Sequence, residues 1–342
     1  MRKVCLMRDK FVGVNGFPRV DLLSGPTPIE RLDRLSQQFG IDLWIKRDDL
    51  TGLGFGGNKV RQLEFYFGAA LEKGADTVLI TGAVQSNYAR TAATAAAKLG
   101  LDAVIQMEDR VQGMDETYNT SGNVLLSRLL GAQFMHYPEG EDEAGADLAL
   151  RQRAEDLSNE GRTPYVIPLG LNNPPLGALG YMKAAEEILQ QDDGFDCMVV
   201  ASGSGLTHAG LLAGLRALGS SIPVHGICVR RDAAAQSQRL ATVGANLDTL
   251  LNCDPIIDAS DIATWDGALE PGYGHVGVPA REAIMMMARQ EGLFLDPVYT
   301  GKSFAGVPAL LKDGLIEPGA RVLFIHTGGQ PALFAYQSEL EM

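Results

Sequence analysis

Short, uninterrupted apolar stretches alternate with amphipathic stretches along most of the chain. The stretches Thr77–Thr81, Cys197–Ala201 and Arg321–His326 are apolar almost throughout rather than at every second position. Such runs are typical of parallel strands buried on both faces, whereas the segments between them have the 3.6-residue periodicity of helices. The pattern predicts an α/β fold with mostly parallel sheets and right-handed crossovers.

The predicted strands and helices follow one another as βα units. The predicted strands are Asp42–Lys46, Thr77–Thr81, Ala103–Met107, Thr163–Ile167, Cys197–Ala201, Val224–Val229 and Arg321–His326. The predicted helices are Lys59–Leu71, Asn87–Leu99, Asn123–Leu130, Asp147–Asn159, Gly180–Leu189, Thr207–Leu218 and Ala280–Gln290, with a last helix starting over Pro331–Tyr336. The acidic segment Glu139–Gly145 is predicted as a solvated loop. No linker separates two halves of the chain, which favours interleaved domains over consecutive ones.

Composition narrows the class of protein. The 342 residues are enough for about two domains, and 46% hydrophobic with 21% charged residues excludes a disordered chain. The 40 glycines exceed the usual share of ~7% and indicate many tight turns or ligand-binding loops. With a net charge of −13, the protein lacks the excess of basic residues that nucleic-acid-binding proteins carry. Anionic membranes would also repel it.

The chain shows neither the ~18-residue apolar run of a membrane-spanning helix nor a signal peptide. Its four cysteines, Cys5, Cys197, Cys228 and Cys253, are far apart and form no CxxC motif. Because Cys197 and Cys228 stand in apolar runs, we expect them to be core thiols. These features together predict a reduced, cytoplasmic protein that acts on small molecules.

A glycine-rich segment, TGLGFGGNK, precedes the helix that begins at Lys59. Gly52, Gly54 and Gly57 formally match GxGxxG, but five residues separate them from the preceding strand, so the match to a dinucleotide-binding fingerprint is weak. The helix dipole disfavours the charged form of a lysine at a helix start, which would suit a neutral nucleophile. A solvated lysine on a plain turn is the alternative interpretation of these local features.

Three further loops follow predicted strands. Ser86 and Asn87 stand at a helix start, where they could cap the helix or help to bind a carboxylate. The stretch Gly203–Thr207 offers backbone N–H groups and hydroxyls that could hold a phosphate without a Lys or Arg, and a plain turn is the alternative. Thr327 lies beyond the last strand, at the sheet edge where open α/β sheets bind ligands.

Two tyrosines, Tyr273 in PGYG and Tyr299 in DPVYTGKS, stand in Gly- and Pro-rich segments. Such tyrosines either pack or serve as acid–base and stacking groups. The five histidines have no metal-ligand spacing and no GxSxG elbow is present, so the sequence predicts neither a metal site nor a serine triad.

The segments IKRDDLTGLGFGGNKVRQLEF, QSN, ASGSGLTHAG, DPVYTGK and HTGG with PALFAY occur in this order. In this the chain resembles the D-cysteine desulfhydrase and 1-aminocyclopropane-1-carboxylate deaminase family, which includes L-cysteate sulfo-lyase. The similarity runs from about Pro26 to Tyr336. It implies pyridoxal 5'-phosphate as cofactor, PLP fold type II (tryptophan-synthase-β-like) and a homodimer. It also implies a small domain of residues 56–169 inserted into a large domain of residues 1–55 and 170–342.

The resemblance also assigns roles to residues. Lys59 in GGNK matches the lysine that binds the cofactor covalently, with Asn58 beside it. Asn87 matches the asparagine at the cofactor's 3-hydroxyl, and Ser86 the serine that binds the substrate carboxylate or relays a proton. Thr327 matches the hydroxyl near the pyridine nitrogen. The remaining matches are the phosphate-binding residues Gly203, Ser204, Gly205, Leu206 and Thr207, and the active-site tyrosines Tyr273 and Tyr299.

Three positions depart from the family pattern at the expected substrate end. Thr300 stands where the deaminases carry a glutamate, which disfavours ring opening. Tyr88 stands where the desulfhydrases carry a histidine. His275 interrupts the PGYGVP-like segment and is a conceivable partner for a sulfonate.

The resulting expectation is a PLP-dependent lyase that performs α,β-elimination on a small amino acid. D-Cysteine, giving pyruvate, sulfide and ammonia, is the first expected substrate. L-Cysteate with release of sulfite is the second, and ring-opening deamination is the third. A dinucleotide-binding oxidoreductase that uses Gly52–Gly57 is the alternative from another class.

Overall fold

The computed structural model of the chain describes residue 11 and residues 13–340, and their strands form two sheets. One sheet has the order β1-β2-β10-β7-β8-β9 and the other β5-β4-β3-β6. Apart from the antiparallel pair β1–β2, neighbouring strands are parallel. The strands are β1 (Ile29–Arg31), β2 (Asp42–Lys46), β3 (Thr77–Ala83), β4 (Asp102–Glu108), β5 (Gln133–Tyr137), β6 (Pro164–Ile167), β7 (Cys197–Ser202), β8 (Val224–Cys228), β9 (Ala263–Trp265) and β10 (Arg321–Ile325).

Helices connect these strands and cover both sheets. In chain order they are α1 (Asp33–Phe39), α2 (Lys59–Glu72), α3 (Asn87–Leu99), α4 (Glu116–Thr120), α5 (Gly122–Leu129), α6 (Glu143–Asn159), α7 (Leu176–Gln191), α8 (Leu206–Ala217), α9 (Ala233–Leu251), α10 (Val278–Glu291), α11 (Thr300–Lys312) and α12 (Gln337–Leu340). The predicted α/β class with mostly parallel sheets is confirmed.

The two sheets draw on different parts of the chain. All four strands of the smaller sheet lie between residues 77 and 167, and the strands of the larger sheet lie before residue 47 and after residue 196. Helix α2 packs against both α3 and α7, so it connects the smaller sheet to the helices of the larger one. The domain boundaries at residues 56 and 169 stay a prediction.

Several elements differ from the sequence-based expectation. The sequence analysis predicts no helix after Tyr299, but the segment forms the 13-residue helix α11. The backbone N–H groups of Tyr299 and Thr300 donate to the Asp296 carboxylate, at 3.0 and 2.6 Å, and this fixes the helix start. The segment at Pro331 forms a 3-10 helix, Gln330–Ala335, before the short helix α12. The strands β1, β5 and β9 and the helices α1, α4 and α9 were not predicted.

A buried group of ion pairs, which we call the deep ion cluster, lies beneath the start of α2. It consists of Lys46, Asp48, Arg61 and Glu187. Arg61 donates to Asp48 at 2.8 and 3.0 Å and to Glu187 at 2.8 and 2.9 Å, and Lys46 donates to Glu187 at 2.5 Å. Tyr181 adds a hydrogen bond of 2.6 Å to Asp48. This cluster joins α2, two residues after Lys59, to β2 and α7.

Cys197 and Cys228 are buried free thiols in the adjacent strands β7 and β8, as the apolar runs predicted. Burial raises the pKa of each to about 12, so both remain protonated near neutral pH. Cys5 lies outside the described residues. In the described part of the chain, no helix combines the length and the hydropathy that crossing a membrane requires.

Candidate active site

A cavity opens where the carboxyl ends of strands from both sheets meet. It encloses about 990 Å³ of atom-free space, including its open mouth. The predicted site residues in its wall are Asn58, Lys59, Ser86, Asn87, Tyr88, Gly203, Ser204, Gly205, Leu206, Thr207, Tyr273, Tyr299 and Thr327. Ligand sites in open α/β sheets occupy this edge, because strand-to-helix loops and helix N-termini converge there.

Lys59 is the first residue of α2, and its side chain reaches the cavity wall. Burial lowers the pKa of its amine from 10.5 to about 8, because the charged form loses hydration. Among residues 13–340, no carboxylate forms an ion pair with this amine. The amine lies 5.2 Å from the centre of the Tyr88 ring. Lys59 is therefore a lysine with a substantial neutral fraction at mildly alkaline pH, as a nucleophile or base requires.

Close backbone packing fixes the start of α2. The Asn58 N–H donates to the Thr327 carbonyl at 3.0 Å. The Asn58 side-chain amide donates to the Thr207 hydroxyl at 2.8 Å. A Cβ on Gly328 would lie 2.6 Å from the Gly57 Cα, which only glycine avoids. These contacts hold Lys59 between the loop after β10 and the start of α8.

The loop between β7 and α8 has the geometry of an anion-binding cup. Gly205 is the N-cap of α8 with φ 96°, a left-handed conformation that favours glycine, and no side chain caps this helix. The carbonyls of Gly203 and Ser204 accept hydrogen bonds from Arg231 and Arg239, at 3.4 and 2.9 Å. Because no side chain caps α8, its first N–H groups remain available to an anion.

The cavity fits the expected cofactor in two further respects. Gln62 donates to Thr207 at 2.8 Å, but its side-chain oxygen is buried with no partner in the described structure, so a polar ligand atom would satisfy it. A Cβ on Gly203 would lie 3.1 Å from Val229, which explains a glycine at the cup. Lys59 would hold the aldehyde end of pyridoxal phosphate, and the α8 cup would hold its phosphate.

Ser86 and Asn87 form the start of α3. The Ser86 hydroxyl accepts a hydrogen bond from the Ala89 N–H at 3.1 Å and caps the helix. The side-chain oxygen of Asn87 accepts a hydrogen bond from the Asn123 side-chain amide at 2.8 Å, which orients the Asn87 amide. Both residues remain in the cavity wall, so capping and ligand binding are compatible here.

Tyr273 and Tyr299 form a pair, with hydroxyl oxygens 2.8 Å apart and ring planes inclined at 73°. Burial and the neighbouring Tyr273 raise the pKa of Tyr299 well above its usual range. Lys302, one turn after Tyr299, donates to the carbonyls of Leu269 and Gly272 and so supports the Tyr273 loop. The Tyr299 hydroxyl thus stays protonated and hydrogen-bonded to Tyr273 in the cavity wall.

Two predicted site residues are not brought to the cavity. The Thr300 hydroxyl is fully buried and lies 2.7 Å from Asp296, whose carboxyl pKa is raised by burial. His275 lies 3.0 Å from Glu339 and does not line the cavity, so a direct sulfonate contact from it is not supported by its position. Both residues are close to a site tyrosine in the sequence, but Thr300 is hydrogen-bonded to Asp296 and His275 to Glu339, outside the cavity wall.

The cavity wall also carries four charged residues that were not predicted: Arg110, Glu143, Arg230 and Arg239. Arg230, Arg231 and Arg239 from the larger sheet's side ion-pair with Glu143 at the start of α6, with closest distances of 2.9, 2.7 and 3.5 Å. Arg110 follows β4 and pairs with Glu108 at 2.7 Å. We call these residues with Glu141, which pairs with Arg230 at 3.0 Å, the cleft ion cluster.

The cleft ion cluster corrects the expectation of a solvated loop over residues 139–145. Asp142 caps α6 by accepting from the Gly145 N–H at 2.9 Å, and Glu143 in the first turn faces three arginines. A usable signal was present in the sequence: Arg110, Arg230 and Arg231 each follow a parallel strand closely, at the edge where ligands bind.

Comparisons with known proteins agree with this geometry. The family model described as "Pyridoxal-phosphate dependent enzyme" matches residues 20–328. D-Cysteine desulfhydrase of Salmonella typhi is 42% identical over 323 residues, covering 94% of this chain and 96% of that protein. The enzyme of the same name from Serratia proteamaculans (strain 568) is 42% identical over 337 residues, covering 95% and 97%. A crystal structure of an ACC deaminase homologue has a TM-score of 0.86 at 40% identity, covering 97% of this chain and 98% of the other.

Proposed function

The chain belongs to the family of pyridoxal-phosphate dependent enzymes, and we propose that it is a carbon–sulfur lyase that eliminates the β-substituent of a small amino acid. D-Cysteine is the first substrate, giving pyruvate, ammonia and sulfide. The observation that carries the proposal is Lys59: its amine has no carboxylate partner among residues 13–340, and its pKa is lowered to about 8 beside an anion-binding cup. Relatives named D-cysteine desulfhydrase support the choice of substrate.

Each part of the cavity has a distinct role in this reaction. When bound, the cofactor supplies an electron sink that makes the substrate's α-proton removable. The neutral Lys59 amine takes that proton. The N–H groups at the start of α3, together with Ser86, bind the substrate carboxylate. In this proposal a hydroxyl of the hydrogen-bonded Tyr273–Tyr299 pair donates a proton to the leaving sulfur.

L-Cysteate is the second candidate substrate within the same reaction class. Its β-sulfonate would leave as sulfite. The specific observation in its favour is the arginine-rich side of the cavity, since a sulfonate needs cationic hydrogen-bond donors.

Ring opening of 1-aminocyclopropane-1-carboxylate is the third candidate. A glutamate at position 300, as in the deaminases, could provide a carboxylate for the pyridine nitrogen, whereas the uncharged Thr300 cannot. Thr300 is also engaged with Asp296, away from the cavity wall. We therefore expect little or no 2-oxobutyrate from this substrate.

We also propose that the protein is a cytoplasmic homodimer. Phe55, Leu129 and Phe334 are 65, 75 and 71% exposed. Phe55 has φ 66°, a conformation that is uncommon for a bulky residue, and Phe334 stands on the 3-10 helix that packs against α5, which ends at Leu129. Large exposed apolar side chains of this kind suit a subunit interface.

A substrate panel on the purified holoenzyme tests the function. D-Cysteine, L-cysteine, L-cysteate and 1-aminocyclopropane-1-carboxylate are supplied, and pyruvate, sulfide, sulfite and 2-oxobutyrate are measured. We expect pyruvate with sulfide from D-cysteine at the highest kcat/KM among the cysteines. Faster release of 2-oxobutyrate than of pyruvate would overturn the lyase assignment.

The Lys59→Ala variant is the matching control. It should lose the visible absorbance of the bound cofactor and all turnover, because no other lysine lines the cavity in the described structure. Its far-UV circular dichroism should match the parent's. A variant that keeps the parent's visible spectrum would show that Lys59 does not hold the cofactor.

A further inference from the structure

Two arginines of the cleft ion cluster flank the Tyr273 side of the cavity. The guanidinium of Arg230 lies 5.7 Å from the centre of the Tyr273 ring. Arg110 and Tyr273 both line the cavity. Val111, the residue after Arg110, packs against the Tyr273 loop, since a Cβ added to Gly274 would lie 2.2 Å from a Val111 methyl group. One arginine follows β8 of the larger sheet and the other follows β4 of the smaller sheet. They therefore approach the tyrosine pair from different sheets.

The hydrogen bonding of Arg230 is incomplete, whereas Arg110 is paired with Glu108. Arg230 donates to Glu143 at 2.9 Å and to Glu141 at 3.0 Å through its two terminal nitrogens. Its Nε is buried and has no partner in the described part of the chain, although the side chain is only 9% exposed. Arg110 donates to Glu108 through Nε and Nη2, at 2.8 and 2.9 Å. A buried guanidinium N–H without an acceptor is costly, so a ligand oxygen at this position would be stabilising.

The local charge also favours an anion. The cleft ion cluster combines four arginines, Arg110, Arg230, Arg231 and Arg239, with three glutamates, Glu108, Glu141 and Glu143. The excess is one positive charge, in a protein whose net charge is −13. Two of the arginines, Arg231 and Arg239, are occupied with the carbonyls of the α8 cup. Arg110 and Arg230 are left on the tyrosine side.

We propose that Arg110 and Arg230 form an anion-binding subsite that receives the β-substituent of the substrate, so that the enzyme accepts a β-sulfonate. This rests on the proposed elimination reaction and names the class of substituent that the same site takes. Planar guanidinium groups suit a sulfonate because its oxygens can accept several charge-assisted hydrogen bonds at once.

The chemistry needs no additional reactant besides water. The α-proton goes to the base, the Cβ–S bond breaks, and the bonding pair leaves with sulfur as sulfite. Hydrolysis of the remaining three-carbon product consumes one water and gives pyruvate and ammonia. The charge on the departing group grows from −1 towards −2 as the bond breaks, so arginines beside it stabilise the transition state more than the bound substrate.

The first test compares two substrates in four holoenzymes: wild type, Arg230→Gln, Arg110→Gln and Arg216→Gln. Arg216 is a matched control, because it pairs with Asp261 at 2.7 Å and does not line the cavity. For the two cleft variants we expect kcat/KM for sulfite release from L-cysteate to fall by about 10- to 100-fold, the range for losing hydrogen bonds to a charged group. kcat/KM for sulfide release from D-cysteine should change several-fold less, and Arg230→Lys should recover part of the loss.

The second test measures binding without turnover. Isothermal titration of the holoenzymes with 3-sulfopropanoate, and with 3-mercaptopropanoate, which has the same carboxylate but an uncharged thiol in place of the sulfonate, reports the subsite directly. We expect the wild type to bind the sulfonate at least about tenfold more tightly, and either cleft variant to lose this preference.

The outcomes separate the two proposals. An unchanged ratio of the two kcat/KM values in both cleft variants, or a wild type that binds the sulfonate no better than the thiol, overturns the subsite. A wild type that prefers the sulfonate in titration but forms no pyruvate from any substrate supports the subsite and overturns the lyase assignment. The wild-type titration decides the question even where a variant fails to fold.

Discussion

The deep ion cluster and the cleft ion cluster use the same chemistry in different surroundings. In the deep cluster, Arg61 and Asp48 are both buried, and Arg61 makes paired hydrogen bonds to two carboxylates. In the cleft cluster, Glu143 is shared by three arginines, its side chain is 27% exposed, and the Nε of Arg230 is unsatisfied within the described residues.

This difference indicates different roles. A buried cluster whose donors and acceptors match has no capacity left for a ligand, and it fixes the position of α2 and therefore of Lys59. A partly solvated cluster with an unmatched donor contributes little to folding but can accept an oxygen from a ligand. Complete pairing thus distinguishes the structural arginine from the arginines available for binding.

Breaking the deep cluster should have the largest effect. Asp48→Asn leaves Arg61 and Lys46 buried with too little negative charge, so we expect the free energy of unfolding to fall by about 3–5 kcal/mol. Urea denaturation followed by circular dichroism measures this. Asp33→Asn, at an exposed position paired with Arg31, is the control and should leave the midpoint nearly unchanged. Equal midpoints for the two variants would contradict a structural role for the deep cluster.

Lys59 forms no ion pair with the carboxylates of the deep ion cluster or of the cleft ion cluster. Because burial lowers its pKa from 10.5 to about 8, its amine is neutral above about pH 8 and protonated below. In protein stripped of cofactor, acylation of Lys59 should therefore rise with pH around 8, about 2.5 pH units below an ordinary lysine. Peptide mass spectrometry after brief labelling measures this, with the exposed Lys98 as internal control. A midpoint above pH 10 would disagree with the buried environment.

Glu143→Gln should have the smallest effect on folding, about 1 kcal/mol or less, because the cleft cluster is partly solvated. Removing the shared carboxylate leaves three arginines less neutralised, so 3-sulfopropanoate should bind severalfold more tightly to the holoenzyme. Glu139→Gln, at an exposed position of the same acidic segment, is the control. Weaker sulfonate binding by Glu143→Gln would mean that Glu143 positions the arginines rather than competing with the anion.

Local patterns in the sequence predicted many of the strands and helices. Apolar runs predicted β3, β7 and β10, because strands buried on both faces are apolar almost throughout. The start of α11 was not predicted, because Thr300 begins a helix through the Asp296 carboxylate in a segment rich in Gly and Pro. Helix α9 was also not predicted, although Asp232 caps it.

Most of the site residues predicted from the sequence line the cavity, and two do not. Lys59, Ser86 and Gly203–Thr207 were identified from motifs at strand-to-helix junctions, where the local backbone already creates the N–H groups and turns that a ligand uses. His275 and Thr300 were predicted from the same loops but lie outside the cavity wall, because Glu339 and Asp296 engage their side chains.

The α/β class, the lysine at the start of α2, the glycine-rich cup and, through the motifs, the family could all be inferred from the amino-acid sequence alone. These follow from periodicity and from residues that are neighbours in the chain. The arginines that reach the cavity, the sharing of Glu143 among arginines, and the lowered pKa of Lys59 are visible only in the folded chain. Those properties depend on contacts between residues that are 87 and 88 positions apart in the chain, and on the burial that the packed fold imposes.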